Sequence, residues 1–350
     1  MSSSTPATGT TPIATSEISI DKPRSSWRGR LSKSWIYVAL IVLYLIFGFI
    51  SPGHVFFSIS SIRNIFVDGA ELLIIATGAT LVIVAGEIDL SVGSAVVLAS
   101  ATGGETMLAI APPGSHGNPL FAIVAGVLVA LIVGAAFGVI NGLLVVYAKI
   151  PSFLVTLGML SVGLALAEVL TNGVDITGVP TQLQTGFGTA TVFGVPIIIP
   201  VALAICLIFG VLLSKTRFGR HTYAVGSNSE AARRAGIRIG RQRIWVFVIA
   251  GVLGGAAGVV DLARFGTTNV SGHSSDALLA ISAVAIGGAS IYGGSGGLGG
   301  TIAGVLIPVV ITDGLVVRGV PPFWQGAAVG LLILLAVGID IRRRGVNSRL

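Results

Sequence analysis

The residues best placed to do chemistry lie in Gly86-Glu87-Ile88-Asp89-Leu90-Ser91-Val92-Gly93-Ser94, where two carboxylates and two hydroxyls fall between long apolar runs. A charged side chain facing lipid at mid-bilayer costs ~2.5–3.5 kcal/mol, so Glu87 and Asp89 must face the protein interior or an aqueous edge. Groups so placed can line a solute pathway or gate it, and Glu87, Asp89, Ser91 and Ser94, with Asn141 and Thr156 from neighbouring runs, form the candidate pathway set. Asp68, Glu71, Glu168, Asp261, Asp313 and Gln325 are weaker candidates, several near predicted span ends where interfacial or packing roles compete. No catalytic group, metal site or cofactor is expected in this chain.

The elements that must hold these residues are membrane helices. Of 350 residues 53% are apolar and 10% charged, against roughly a quarter charged in an ordinary soluble domain. Ten runs approach the ~20 residues a helix needs to cross hydrocarbon: 34–50, 65–85, 90–110, 120–147, 153–170, 192–213, 244–263, 277–291, 298–317 and 323–341. The first and eighth are short and the glycines near 290 blur a boundary, so nine to eleven fit the pattern. Charge selects ten. With both termini cytoplasmic, 18 of the 21 Lys and Arg lie inside, and Arg63, Arg264 and Arg318 lie outside. The expected architecture is an all-α, polytopic bundle: a disordered tail 1–33, a membrane region 34–341 with a cytoplasmic loop 214–243, and a basic tail 342–350. The Ser/Thr/Pro-rich tail with its basic cluster could pass for a signal sequence, but no small-x-small cleavage site follows Ile50, so an uncleaved first span is expected.

Several soluble-protein readings fall away. The basic residues are dispersed over cytoplasmic edges, without base-stacking aromatics, so the pI near 10.1 does not mark a nucleic-acid binder. Residues 287–300 hold eight glycines, and Gly294-x-Gly296-x-x-Gly299 formally matches a dinucleotide fingerprint, but no strand precedes it and no acidic residue follows at the right distance. Gly287, Gly288, Gly293 and Gly294 instead read as a helix break, tolerable in a membrane only inside protein or beside water. Glycines four apart, at 134/138/142, 251/255, 254/258 and 300/304, read as close helix contacts. Cys206, alone in the chain, reads as a buried packing residue. No Gly-Lys-Ser/Thr occurs, so any ATP is hydrolysed by another chain.

The loop 214–243 carries its own helix signal. Ser227-Asn228-Ser229-Glu230 is a capping box, Ala231-Ala232-Arg233-Arg234-Ala235 favours helix, and Gly236 is placed to stop it. Ala231, Ala232, Ala235 and Ile237 would give this helix a small apolar side, suited either to a solvated loop or to docking in a partner's groove.

Five ordered segments resemble the permease subunits of bacterial ABC importers for ribose, xylose, arabinose and related monosaccharides. They are Gly86–Ser94, Asn141–Leu144, Pro151–Met159, Phe218–Arg233 and Ala283–Ser290 with Gly293-Gly294, and the resemblance runs over residues 65–340. It implies a permease of the cytoplasmic membrane that dimerises, receives sugar from an extracytoplasmic binding protein and is driven by a two-domain ATPase using ATP and Mg2+. It also implies that Ser227, Asn228, Glu230, Ala231, Ala232, Arg233 and Gly236 form the ATPase-coupling helix. Two departures stand out: Glu87 occupies a family glycine position, and Ala277 and Leu279 replace acidic residues before the glycine motif, with Asp276 nearby. An importer of inositol, a nucleoside or a branched-chain amino acid shares the architecture. A proton-coupled carrier using Glu87 or Asp89 is the reading from another class, disfavoured by the lack of a visible mid-membrane acid and base pair.

Overall fold

The computed structural model describes residues 27–270, 272–321 and parts of 324–338, with side chains from 36 onward except at 274. The expected tails therefore fall wholly (342–350) or largely (1–33) outside the described residues, as does much of the candidate span 323–341. The helices are α1 Trp27–Ile50, α2 Ile59–Val84, α3 Val92–Ile110, α4 Pro119–Val146, α5 Ser152–Thr171, the single turn α6 Thr181–Leu183, α7 Ile198–Lys215, α8 Arg217–Ser227, α9 Ser229–Arg234, α10 Ile239–Phe265, α11 Asp276–Ile286 and α12 Leu298–Val317. A two-residue hairpin, β1 Thr191–Val192 with β2 Val195–Pro196, precedes α7.

Seven described helices, α2, α3, α4, α5, α7, α10 and α12, are long and apolar enough to cross a membrane. Their termini follow local chemistry. The Ser58 side chain accepts from the Ser61 N–H to start α2, Asn118 caps α4 with Pro119 in its first turn, and Gly266 ends α10 in the left-handed region.

Burial separates the helices by depth in the bundle. The most apolar stretches of α2 and α10 are 89% and 78% buried, whereas those of α4, α5 and α7 are 28%, 22% and 22% buried, so α2 and α10 form the centre and the other three the periphery. α4 and α10 meet through glycines: a Cβ on Gly134 would collide with the backbone of Gly251 and Gly255, one on Gly138 with Phe247, and one on Gly142 with Ile244. Hydrocarbon offers no hydrophobic drive between helices, so this backbone approach supplies the dispersion contact that joins them. Thr80 and Thr301 share a hydroxyl hydrogen bond of 2.9 Å between α2 and α12, with each hydroxyl at 0% exposure.

The eighth candidate crossing is only half of one. α11 has 11 residues, about 16 Å at 1.5 Å per residue, against a hydrocarbon core of about 30 Å. Before it, the chain is irregular from Gly266 to Val270, with Thr268 at 0% and Val270 at 6% exposure although Asn269 is exposed. Its backbone finds partners in the loop after α5: the Thr268 N–H donates to Ile176 O, the Ile176 N–H to Thr268 Oγ1, and the Val270 N–H to Asp175 Oδ1. Non-helical backbone is tolerated at depth only where protein satisfies it in this way.

Candidate functional site

Three constellations carry polar chemistry. The first gathers five of the six residues of the pathway set. Asp89 Oδ1 accepts from both the backbone N–H and the hydroxyl of Ser91, at 2.8 and 2.6 Å, and Asn141 Nδ2 on α4 donates to Ser91 Oγ at 2.7 Å. Ser94 donates to Ser91 O, Thr156 on α5 to Ile88 O and Ser152 O, and the Ile88 N–H to Ser152 Oγ. Asp89, Ser91, Ser94, Asn141 and Thr156 are all buried. Burial pushes the Asp89 carboxyl above the ordinary range, while its two Ser91 hydrogen bonds pull the other way. This network fastens the α2–α3 connection to α4 and α5. Glu87 stands apart from it. Its side chain is 7% exposed and its Oε1 lies 2.6 Å from Arg243 Nε, an ion pair whose N–H does not point along the contact. Arg243 explains how a carboxylate is accommodated at this buried position.

The second constellation joins the cytoplasmic-loop helices to the glycine run. Asn228, rather than Ser227, caps α9: its Oδ1 accepts from the Ala231 N–H at 2.9 Å. Ser227 Oγ donates instead to Gly294 O at 3.3 Å, and Tyr223 OH donates to Gly296 O at 2.7 Å. Gly294 in turn donates its N–H to Val84 O at the end of α2. Gly226 sits against Val84 O and Gly294 N, with no room for a Cβ, and Gly293 and Gly294 adopt φ of 88° and 72° that favour glycine. Exposed Glu230 pairs with Arg233 at 2.8 Å and with Arg234 at 3.3 Å, and Gly236 stops the segment at φ 82°. The expected apolar side is divided: Ala232 is buried against its own chain, while Ala231 and Ala235 face outward. Beside α9 lies a cleft of about 540 Å3 lined by Phe218, His221, Gly236, Arg238, Arg241 and Trp245 among others.

The third was invisible in sequence order. Near the middle of α2, Asp68 and Glu71 meet Arg264 from α10, which pairs with Asp68 and lies 3.6 Å from Glu71 Oε2. His273 lies between Asp276, with Nδ1 2.6 Å from Oδ2, and Asp261, with Nε2 3.3 Å from Oδ2. Asp313 on α12 faces Asp68 and Arg264. The buried acid and base pairing that the sequence failed to display is therefore present. Arg264, expected at the outer edge, turns inward to Asp68 and Glu71, and His273 joins Asp261 and Asp276 although no sequence motif marks it. The signal was weak because the residues come from α2, α10, α12 and the irregular 266–275 segment, and only folding brings them together.

Seven helices long and apolar enough to cross a membrane, a half-length helix among them and an exposed short helix joined to one hydrogen-bonded to the glycine run, fit an integral membrane protein. Residues 61–337 match the model of a family described as branched-chain amino acid transport system / permease component, and the chain belongs to that family. It is 33% identical over 327 residues to the ribose import permease protein RbsC of Escherichia coli (strain K12), covering 91% of this chain and 98% of that one. It is 34% identical over 332 residues to RbsC of Bacillus subtilis (strain 168), covering 95% and 99%. The autoinducer 2 import system permease protein LsrC of Yersinia pestis (strain Pestoides F) is 34% identical over 313 residues, 89% of this chain and 85% of that one. No solved structure matches. The chain is a permease of the import class.

Proposed function

We propose that this chain is the membrane-spanning subunit of an ATP-driven importer in a bacterial cytoplasmic membrane, moving a monosaccharide inward. The similarity to two ribose permeases over nearly their whole length carries this reading. On it, ten crossings with both termini cytoplasmic include one made by the irregular stretch after α10 together with the half-helix α11. A second copy of the chain completes the pathway, an external binding protein delivers the sugar, and a two-domain ATPase binds ATP and Mg2+.

α9 is the lever. ATPase closure would press on it, and the load passes through Ser227 and Tyr223 to Gly294 and Gly296, and from Gly294 to Val84 at the foot of α2. The glycine run also continues directly from α11 into α12. A push at α9 would therefore reach α2 through these hydrogen bonds, and α11 and α12 through the chain of the glycine run.

The second solute class is an autoinducer-2-like polyol, favoured by the comparable identity to the Yersinia permease. Proton-coupled transport through Glu87 or Asp89 fits the geometry poorly, because Glu87 is paired with Arg243 and Asp89 is occupied by Ser91. The test is uptake of labelled pentoses, hexoses, inositols, branched-chain amino acids and autoinducer 2 into proteoliposomes, with the neighbouring-gene ATPase and binding protein added or omitted. Uptake that needs both partners and internal ATP is expected. Partner-free uptake driven by a proton gradient would overturn the proposal, and strict selectivity for autoinducer 2 or an amino acid would reassign the solute.

A further inference from the structure

We propose that the cleft between α8 and the start of α10 holds the headgroup of an anionic phospholipid drawn from the surrounding membrane. The cleft encloses about 540 Å3, within the range of small-molecule sites, and its wall changes character with depth. Arg238, one residue before α10, and Arg241, Trp245 and Ile249 within it recur at intervals of three and four, so they fall on one stripe of the helix. Along that stripe charge gives way to an aromatic ring and then to an aliphatic side chain. A phospholipid presents the same order, from phosphate through the glycerol region to the acyl chain, and tryptophan favours the middle level. Leu212, near the end of α7, and Phe218 on α8 add apolar wall, and His221 adds an imidazole.

Charge and depth select this occupant. From Arg233 to Arg264 the chain carries six arginines. Four have carboxylate partners: Arg233 and Arg234 share Glu230, Arg243 meets Glu87, and Arg264 meets Asp68 and Glu71. Arg238 and Arg241, both exposed and both on the cleft, are the two that make no ion pair with a described residue. Guanidinium groups free of acids match a phosphodiester, which they bind through paired N–H donors, and basic pockets beside membrane helix ends take anionic headgroups in this way. Depth excludes a water-soluble occupant. Ile249 lies ten residues beyond Ile239, about 15 Å along the helix axis, a level that an acyl chain reaches and a protein docking from the aqueous side does not. Nor is the cleft a loose gap. Gln242 of α10 donates to Phe218 O at 3.0 Å and to Thr222 Oγ1 at 2.7 Å, which holds α8 against α10 and fixes the walls. This lipid site rests on the membrane placement of α7 and α10 and is independent of the solute and of the coupling assigned to α9.

The test uses the full-length chain with Trp27, Trp35 and Trp324 replaced by Phe, so that Trp245 alone reports, in vesicles of phosphatidylcholine mixed with phosphatidylglycerol. Bromine on the acyl chains of one lipid or the other quenches the ring it touches. Relative affinity read from this quenching is expected to favour phosphatidylglycerol about ten- to thirtyfold, from about fivefold for each arginine beside an anionic lipid. Arg238→Gln with Arg241→Gln is expected to bring the ratio close to one, whereas Lys215→Gln with Arg217→Gln, which removes equal charge outside the cleft, is expected to leave it within about threefold. Equal quenching by the two lipids, or a preference that survives the cleft substitutions, would overturn the proposal. Soluble glycerol phosphate that abolishes the preference would show a small-phosphate site, and loss of the preference on adding the neighbouring-gene ATPase would assign the cleft to that protein; either result overturns the lipid. Because the variants could misfold, the unaltered chain supplies a second reading. Native mass spectrometry is expected to retain at least one phosphatidylglycerol per chain in detergent that strips phosphatidylcholine, and retention of both lipids equally or of neither would also overturn the proposal.

Discussion

Glu87 illustrates how a buried carboxylate is accommodated by a single basic partner. Its carboxylate is almost fully enclosed, and Arg243, 31% exposed at its side chain, reaches it from the first turns of α10. Removing Arg243 alone leaves an uncompensated buried charge. Arg243→Ala is therefore expected to lower stability by roughly 2 kcal/mol, below the usual cost for a fully buried pair because Arg243 is partly solvated. The double variant Glu87→Gln with Arg243→Gln is expected to recover much of that loss, read from apparent unfolding midpoints in one detergent. Equal losses in the single and double variants would show that the pair does not act as a unit.

At the scale of elements, two contacts make separable demands. The α4–α10 seam depends on Gly134 and Gly251, whose added Cβ atoms would strike the facing backbone. Gly134→Val is expected to destabilise by ~1–3 kcal/mol or to abolish folding, whereas Gly158→Ala on α5, with open space around it, is expected to stay within about 0.5 kcal/mol. Thermal midpoints of the two side by side provide the check. The other contact is the seat of α8 and α9 on the glycine run. Tyr223→Phe deletes one hydrogen bond to Gly296 O, worth ~0.5–1.5 kcal/mol, and is expected to reduce sugar uptake per ATP hydrolysed about two- to tenfold at normal membrane levels. Glu230→Ala and Gly236→Val are expected to uncouple hydrolysis from uptake in the same assay. Unchanged uptake in all three would remove α9 from the transmission path.

The whole molecule exposes large apolar side chains on α4, α5 and α7, among them Phe121, Ile132, Val169, Leu207 and Ile208. In a lipid setting such faces meet acyl chains or a second copy of the protein. On the proposed function a second copy of the chain completes the pathway, so the purified full chain is expected to have the protein mass of a dimer by detergent-corrected light scattering. A strictly monomeric mass together with active uptake would contradict that arrangement.

The sequence by itself determined the solvent of this protein and its elements: long apolar runs mean hydrocarbon, helix satisfies the backbone there, and the Lys/Arg asymmetry proposes an orientation. It also marked α9, because capping and glycine stop signals are local, although only the structure moved the cap to Asn228 and bound Ser227 to Gly294. Hydropathy alone marks 277–291 as a crossing, since it counts apolar residues and cannot see that α11 spans only Asp276–Ile286, with Thr268 and Val270 buried in irregular chain before it. The partnership of Glu87 with Arg243, and the meeting of Glu71, Asp261, Arg264 and His273, were decided by tertiary structure. These residues lie up to two hundred positions apart, and no local rule links side chains whose contact depends on how three helices pack.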